Sequence, residues 1–89
     1  MISDDEVRKL TRGMVQGCEA SWASFFDGHQ QRLRGYLRAC WKGESAVVDD
    51  LLQETLLRVV KHIRVFESAE SLWSWLTVLA RSTVVDQGR

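Results

Sequence analysis

No proline interrupts this chain, and its apolar residues return at spacings of three and four through one segment after another. That combination leaves the α-helix as the regular structure that can run unbroken and bury one face. The clearest segment places Val48, Leu52, Leu56, Val59 and Ile63 on a single stripe, widened by a second row of Val47, Leu51 and Val60. Ser45 can cap this helix, which is expected to run to about Arg64.

The same reading predicts three more helices. Ser3 with Glu6 forms a capping box ahead of Val7, Leu10 and Met14, a short first helix weakened at Gly13 and Gly17. From about Glu19 to Trp41, Trp22, Phe25, Phe26, Leu33, Tyr36, Leu37 and Cys40 lie along one broad face, with Arg32, Arg34 and Arg38 elsewhere; Gly28 and Gly35 can soften this helix and Gly43 close it. After the connector Val65-Phe66-Glu67, Ser68 can cap a last helix whose Leu72, Trp75, Leu76, Leu79 and Val84 face inward. The connectors are short, no repeat occurs and no alternating pattern suggests a strand. The expected fold is all-α, a compact bundle of about four helices in one domain spanning residues 1–89.

Composition fits that fold and narrows the function. Eighty-nine residues that are 45% apolar, with four Trp, can and must bury a core. Lys plus Arg equals Asp plus Glu at twelve each, so any attraction to a phosphate backbone must come from how charge is placed. The amino terminus MISDDEVRKL resembles neither a signal nor a transit peptide, and no apolar run is long enough to span a bilayer. A cytoplasmic location without membrane association is therefore expected, with Cys18 and Cys40 as reduced, part-buried thiols. No two of Cys18, His29, Cys40 and His62 stand at the short spacing of a zinc knuckle, so no metal or cofactor is expected. The last helix turns polar just as the sequence stops at Arg89, which suggests a truncation or a module that continues.

One polar surface stands out. Asp49, Asp50, Gln53 and Glu54 fall within about a turn and a half of helix opposite the apolar stripe. Acids at a helix amino terminus, with Arg58, Lys61 and Arg64 toward the other end, complement the helix dipole whatever else they do. No nucleophile or metal-ligand set accompanies them, so they give no ground for an acid/base pair and the chain is not expected to be an enzyme.

The string from Val47 to Val60, containing Asp49-Asp50-Leu51-Leu52-Gln53-Glu54-Thr55, is followed by Phe66 and then by Ser71-Leu72-Trp73-Ser74-Trp75-Leu76-Thr77-Val78-Leu79-Ala80-Arg81. The two pieces at this separation resemble region 2 of sigma-70 family factors, most closely the extracytoplasmic-function group. Upstream, Gly17-Cys18-Glu19-Ala20-Ser21-Trp22 and Phe25-Phe26 are similar to the family's helix before it, so the resemblance covers nearly the whole chain. The resemblance implies a transcription initiation module. Asp49, Asp50, Gln53 and Glu54 would dock on the clamp helices of the β′ subunit of core RNA polymerase. Phe66, Ser68, Ser71, Trp73, Arg81, Ser82 and Arg89 would hold the single-stranded, non-template strand of the promoter −10 element. An anti-sigma factor would be a further partner. The family's second DNA-reading domain, the region 4 helix-turn-helix, is absent from these residues.

Some positions depart from the family pattern. Glu67 and Glu70 place carboxylates in a loop meant to approach phosphates, Ser82 stands where the family commonly has Asn, and Arg89 alone represents its terminal basic cluster. The alternative reading is therefore a sigma-like interaction domain that binds polymerase or an anti-sigma partner without productive DNA recognition. Trp73 could stack on a base, whereas Trp75 is expected in the core. His29 and His62 are expected at the surface or its boundary.

Overall fold

The computed structural model describes residues 2–89, and its regular elements are four α-helices in chain order. They are α1 (Asp4–Val15), α2 (Glu19–Cys40), α3 (Val47–His62) and α4 (Ala69–Gln87). α4 packs on the other three, and α1 lies on α2 and α4 without reaching α3. The core is a shared set of apolar side chains: Val7 and Met14 from α1, Phe25, Leu33 and Leu37 from α2, Val48, Leu51, Leu52 and Val59 from α3, and Leu72, Leu76 and Ala80 from α4. Burying such side chains contributes roughly 1.5–3 kcal/mol each, which is how one apolar stripe per helix suffices to specify the bundle.

The helix ends follow from local chemistry. The Ser3 hydroxyl accepts the Glu6 N–H at 3.2 Å, which is the N-cap half of the expected capping box, while the Glu6 carboxylate accepts from the same hydroxyl at 3.2 Å. α1 stops at a Schellman motif: Gly17 N–H bonds to Met14 O and Cys18 N–H to Gly13 O, with Gly17 at φ 81°. A side chain in that left-handed conformation costs roughly 1–2 kcal/mol. Gly17→Ala is therefore expected to lower the melting temperature by about 4–8 °C or more, read by thermal circular dichroism; an unchanged melting curve would contradict this turn geometry.

Several expectations need correction. Ser45 does not cap α3 through its hydroxyl; its carbonyl accepts the Val48 N–H, and Glu44 O accepts Val47 N–H, so a tight backbone turn with Ala46 in αR geometry starts the helix. α3 ends at His62, where Ile63 turns extended, and not at Arg64. α2 runs straight through Gly28 and Gly35 and ends at Cys40, where Trp41 turns extended. Gly43 serves instead as space for the Trp41 indole, whose Nε1–H donates to Glu44 O at 3.0 Å. Val60 does not widen the core stripe of α3, because it is 51% exposed. Cys18 is exposed and Cys40 half-buried, both as free thiols.

Three threonines are buried that the apolar pattern passes over: Thr11, Thr55 and Thr83. Each hydroxyl donates to the carbonyl four residues back, at 2.8, 2.8 and 2.9 Å, which satisfies it inside the core.

Candidate functional site

The outward face of α3 is the first surface the sequence singles out. Asp49, Asp50, Gln53 and Glu54 are all exposed, yet they are not equivalent. Asp49 turns to Arg34 of α2 at 3.3 Å, and Glu54 turns to Arg58 at 3.5 Å. Asp50 and Gln53 make no ion pair or side-chain hydrogen bond among the described residues, so they are left to face outward. At about 100° per residue, Leu57 and Val60 continue the same face, and they are 59% and 51% exposed. The face is therefore acidic at its amino-terminal end and apolar toward its carboxyl end. Leu57 and Val60 were not among the sequence-predicted site residues. Their signal was present in the string, since they fall one and two turns beyond Gln53, but an apolar residue in an apolar helix reads as core.

The second surface is the connector between α3 and α4. Phe66 opens it, but its ring is only 3% exposed and packs against Trp75 at a centroid distance of 5.0 Å. Phe66 is thus an anchor for the loop, with its ring packed inside and away from solvent. Its N–H donates to the buried Thr11 hydroxyl at 3.0 Å, and Arg64 lies over its other side at 4.5 Å. α1 holds the rest of the connector as well. Asp4 Oδ1 accepts the Ala69 N–H at 3.0 Å, and Arg8 donates to Glu67 O at 3.4 Å and lies 3.9 Å from its carboxylate. Glu67 is therefore directed toward Arg8 of α1, which removes part of the charge conflict its sequence position suggests.

Beside the anchored loop lies a cleft of 520 Å³ lined by Arg64, Ser68, Glu70, Ser71, Ser74, Trp75 and Val78. The Ser68 hydroxyl caps α4 by accepting the Ser71 N–H at 3.1 Å, so Ser68 and Ser71 have a structural duty at this cleft. A second groove, of 470 Å³, continues down α4 past Val78 to Arg81, Ser82, Val85, Asp86 and Arg89, and reaches Arg58 of α3. Five of the sequence-predicted strand-binding residues, Ser68, Ser71, Arg81, Ser82 and Arg89, thus line one face of α4. Trp75 and Arg64 join them, although Trp75 was expected in the core and Arg64 was assigned only to the helix end.

Trp73 does not belong to this face. Two residues beyond Ser71 it projects about 200° round the helix, where it meets Tyr36 edge-on at 6.0 Å with Arg32 stacked over it at 3.8 Å. It lines a different groove, between α1, α2 and the start of α4, together with Leu10, His29 and Arg32. In that groove His29 stacks on Phe25 and its Nδ1 lies 3.1 Å from Phe25 O. Burial holds His29 below the usual histidine range. Among the described residues no three His, Cys, Asp or Glu side chains gather as metal ligands, and no helix is long and apolar enough to cross a membrane.

Arg58 joins the two surfaces. Its Nε faces Glu54 on the outward face of α3, and its Nη2 donates to Asp86 Oδ2 of α4 at 2.6 Å. The hydrogen bond that Arg58 donates to Asp86, helped by Glu54, holds the guanidinium still more firmly protonated than an ordinary arginine.

No solved structure matches the chain significantly. The chain is 33% identical over 99% of its length to ECF RNA polymerase sigma factor SigF of Caulobacter vibrioides, and it spans 50% of that protein. The sigma-70 region 2 family model matches residues 25–89, which hold α3, the anchored loop and α4. The chain therefore belongs to the sigma-70 family through its region 2 domain.

Proposed function

We propose that this domain works in transcription initiation by docking on core RNA polymerase and capturing one strand of an opened promoter. The face of α3 centred on Asp50, Gln53, Leu57 and Val60 binds the β′ clamp helices, with Asp49 and Glu54 at its flanks. The observation that carries this reading is that Asp50 and Gln53 have no side-chain partner among the described residues, beside two exposed apolar side chains. Carboxylates beside an apolar centre suit a basic helical partner: charge sets register and association rate, and the apolar contact supplies the central anchor. An anti-sigma factor would occlude the same face.

The cleft beside the loop takes the non-template strand of the −10 element. Holding an unstacked base must offset a few kcal/mol, and the half-buried Trp75 offers a stacking surface worth about 1–3 kcal/mol. Ser68, Ser71 and Ser82 offer hydroxyls to base edges, and Arg64, Arg81 and Arg89 offer cations to phosphates. Phe66 acts indirectly, by fixing the loop. The region belongs to one domain, and the region 4 domain that would read a −35 element lies outside these residues.

The test is binding of a fluorescently labelled −10 non-template oligonucleotide in the presence of core polymerase. Trp75→Ala is expected to weaken it by about tenfold while leaving clamp-helix binding unchanged. The scarcity of cations and the presence of Glu70 and Asp86 favour a second reading, in which the domain binds polymerase without holding DNA. Oligonucleotide binding by wild type with core polymerase that does not exceed that of core polymerase alone would support that reading over the first.

A further inference from the structure

We propose that Arg58 is a further phosphate-binding residue of the α4 groove, and that Asp86 occupies its guanidinium until a strand phosphate displaces the carboxylate; this rests on the strand-capture reading above. Arg58 lines the groove with Arg81, Ser82 and Arg89, so a strand lying there has three guanidinium groups and one hydroxyl along its path. The obstacle is Asp86, whose Oδ2 accepts from Arg58 Nη2 at 2.6 Å. A carboxylate and a phosphate oxygen make the same kind of charge-assisted bond to an arginine fork, so Asp86 sits where a phosphate oxygen would sit.

The exchange is energetically accessible because the pair is open to solvent. The Asp86 side chain is 51% exposed and that of Arg58 25% exposed, and ion pairs of that exposure are worth little against competing anions. A more highly charged phosphate chain therefore competes well, whereas stray monovalent anions do not hold the groove.

Glu54 makes the exchange responsive to docking. It lies 3.5 Å from Arg58 Nε and is also at the flank of the α3 face. When a basic partner draws Glu54 outward, Arg58 loses one of its two carboxylates and binds phosphate more strongly. Docking on polymerase thus raises strand affinity without any helix moving, and free domain is kept from scavenging nucleic acid.

The experiment measures the affinity of the domain for a −10 single-stranded oligonucleotide, with and without core polymerase, across a salt series. Four proteins are compared: wild type, Asp86→Asn, Arg58→Gln/Asp86→Asn, and Glu44→Gln. The last removes one negative charge from an exposed position outside the groove and so controls for net charge. The expected result is that Asp86→Asn binds several-fold tighter than Glu44→Gln, and that the gain vanishes when Arg58 is also replaced. The salt slope should steepen by about 0.7, the increment for one added phosphate contact on a single strand.

Thermal unfolding of each variant separates this from loss of the helix tie, and Asp86→Ser serves if the asparagine variant is poorly folded. If Asp86→Asn binds no better than the charge control, the pair is only a clamp between α3 and α4 and the proposal is overturned, while strand capture stands. If no variant binds the oligonucleotide even with polymerase, the strand-capture reading falls and takes the proposal with it.

Discussion

Alanine at Phe66 is expected to destabilise the domain by about 3–5 kcal/mol, a large part of the roughly 5–15 kcal/mol that holds a small domain folded. The ring is buried against Trp75 beneath Arg64, and the connector's other large apolar side chain packed on the core, Ile63, is only half-buried. Removing it leaves a cavity where α1, the loop and α4 meet. Urea denaturation should show the loss as a lower midpoint. A milder variant isolates the loop anchor: Thr11→Val keeps the volume but removes the acceptor for Phe66 N–H, leaving a buried donor unmet at a cost of about 1–3 kcal/mol. Both variants should weaken strand capture more than polymerase docking, because the docking face belongs to α3 alone. A Phe66→Ala domain with a wild-type midpoint and no strand binding would show that the ring touches DNA directly, against its burial.

The second large effect is expected on α3. Alanine at Asp50, Gln53 and Leu57 together should weaken binding to the β′ clamp helices by about 100-fold, the scale of losing one or two central contacts of an interface. None of the three side chains supports the fold: all are exposed, and neither Asp50 nor Gln53 has a partner among the described residues. The variant should therefore unfold within about 0.5 kcal/mol of wild type. Replacing Asp50 alone should mostly slow association and reduce its salt dependence, whereas Leu57→Ala should mostly speed dissociation.

The four helices were readable because each repeats an apolar stripe that no proline breaks, and the cap at Ser3 and the cap at Ser68 are local chemistry within three residues. What periodicity could not show is how distant segments share atoms. The hydrogen bond from Phe66 N–H to Thr11 joins residues 55 apart, and it turns a short first helix into the support of the loop between α3 and α4. A threonine inside an apolar stripe carries no mark that its hydroxyl will meet a loop amide.

The candidate site was legible in part for the same reason. Asp49, Asp50, Gln53 and Glu54 were found by charge on one face, but which of them is already engaged depends on Arg34 and Arg58, and only packing decides that. The two tryptophans of α4 show the limit most clearly. Two positions apart, Trp73 and Trp75 face opposite sides of the helix, and their types are identical, so the choice between core, groove and cleft rests on what α2 and the loop bring against each. Phe66 was drawn to the DNA because it opens the loop, whereas its size made it the residue that folding would bury first.

Titration of the folded domain with the isolated β′ clamp-helix fragment by calorimetry tests the central claim most directly, with the Asp50, Gln53 and Leu57 alanine variant alongside. The expected result is saturable binding by wild type, weakened at high salt, and binding about 100-fold weaker for the variant at unchanged helical content. A wild-type domain that is fully helical yet produces no binding, or a variant that binds as well as wild type, would contradict the assignment of the α3 face to polymerase.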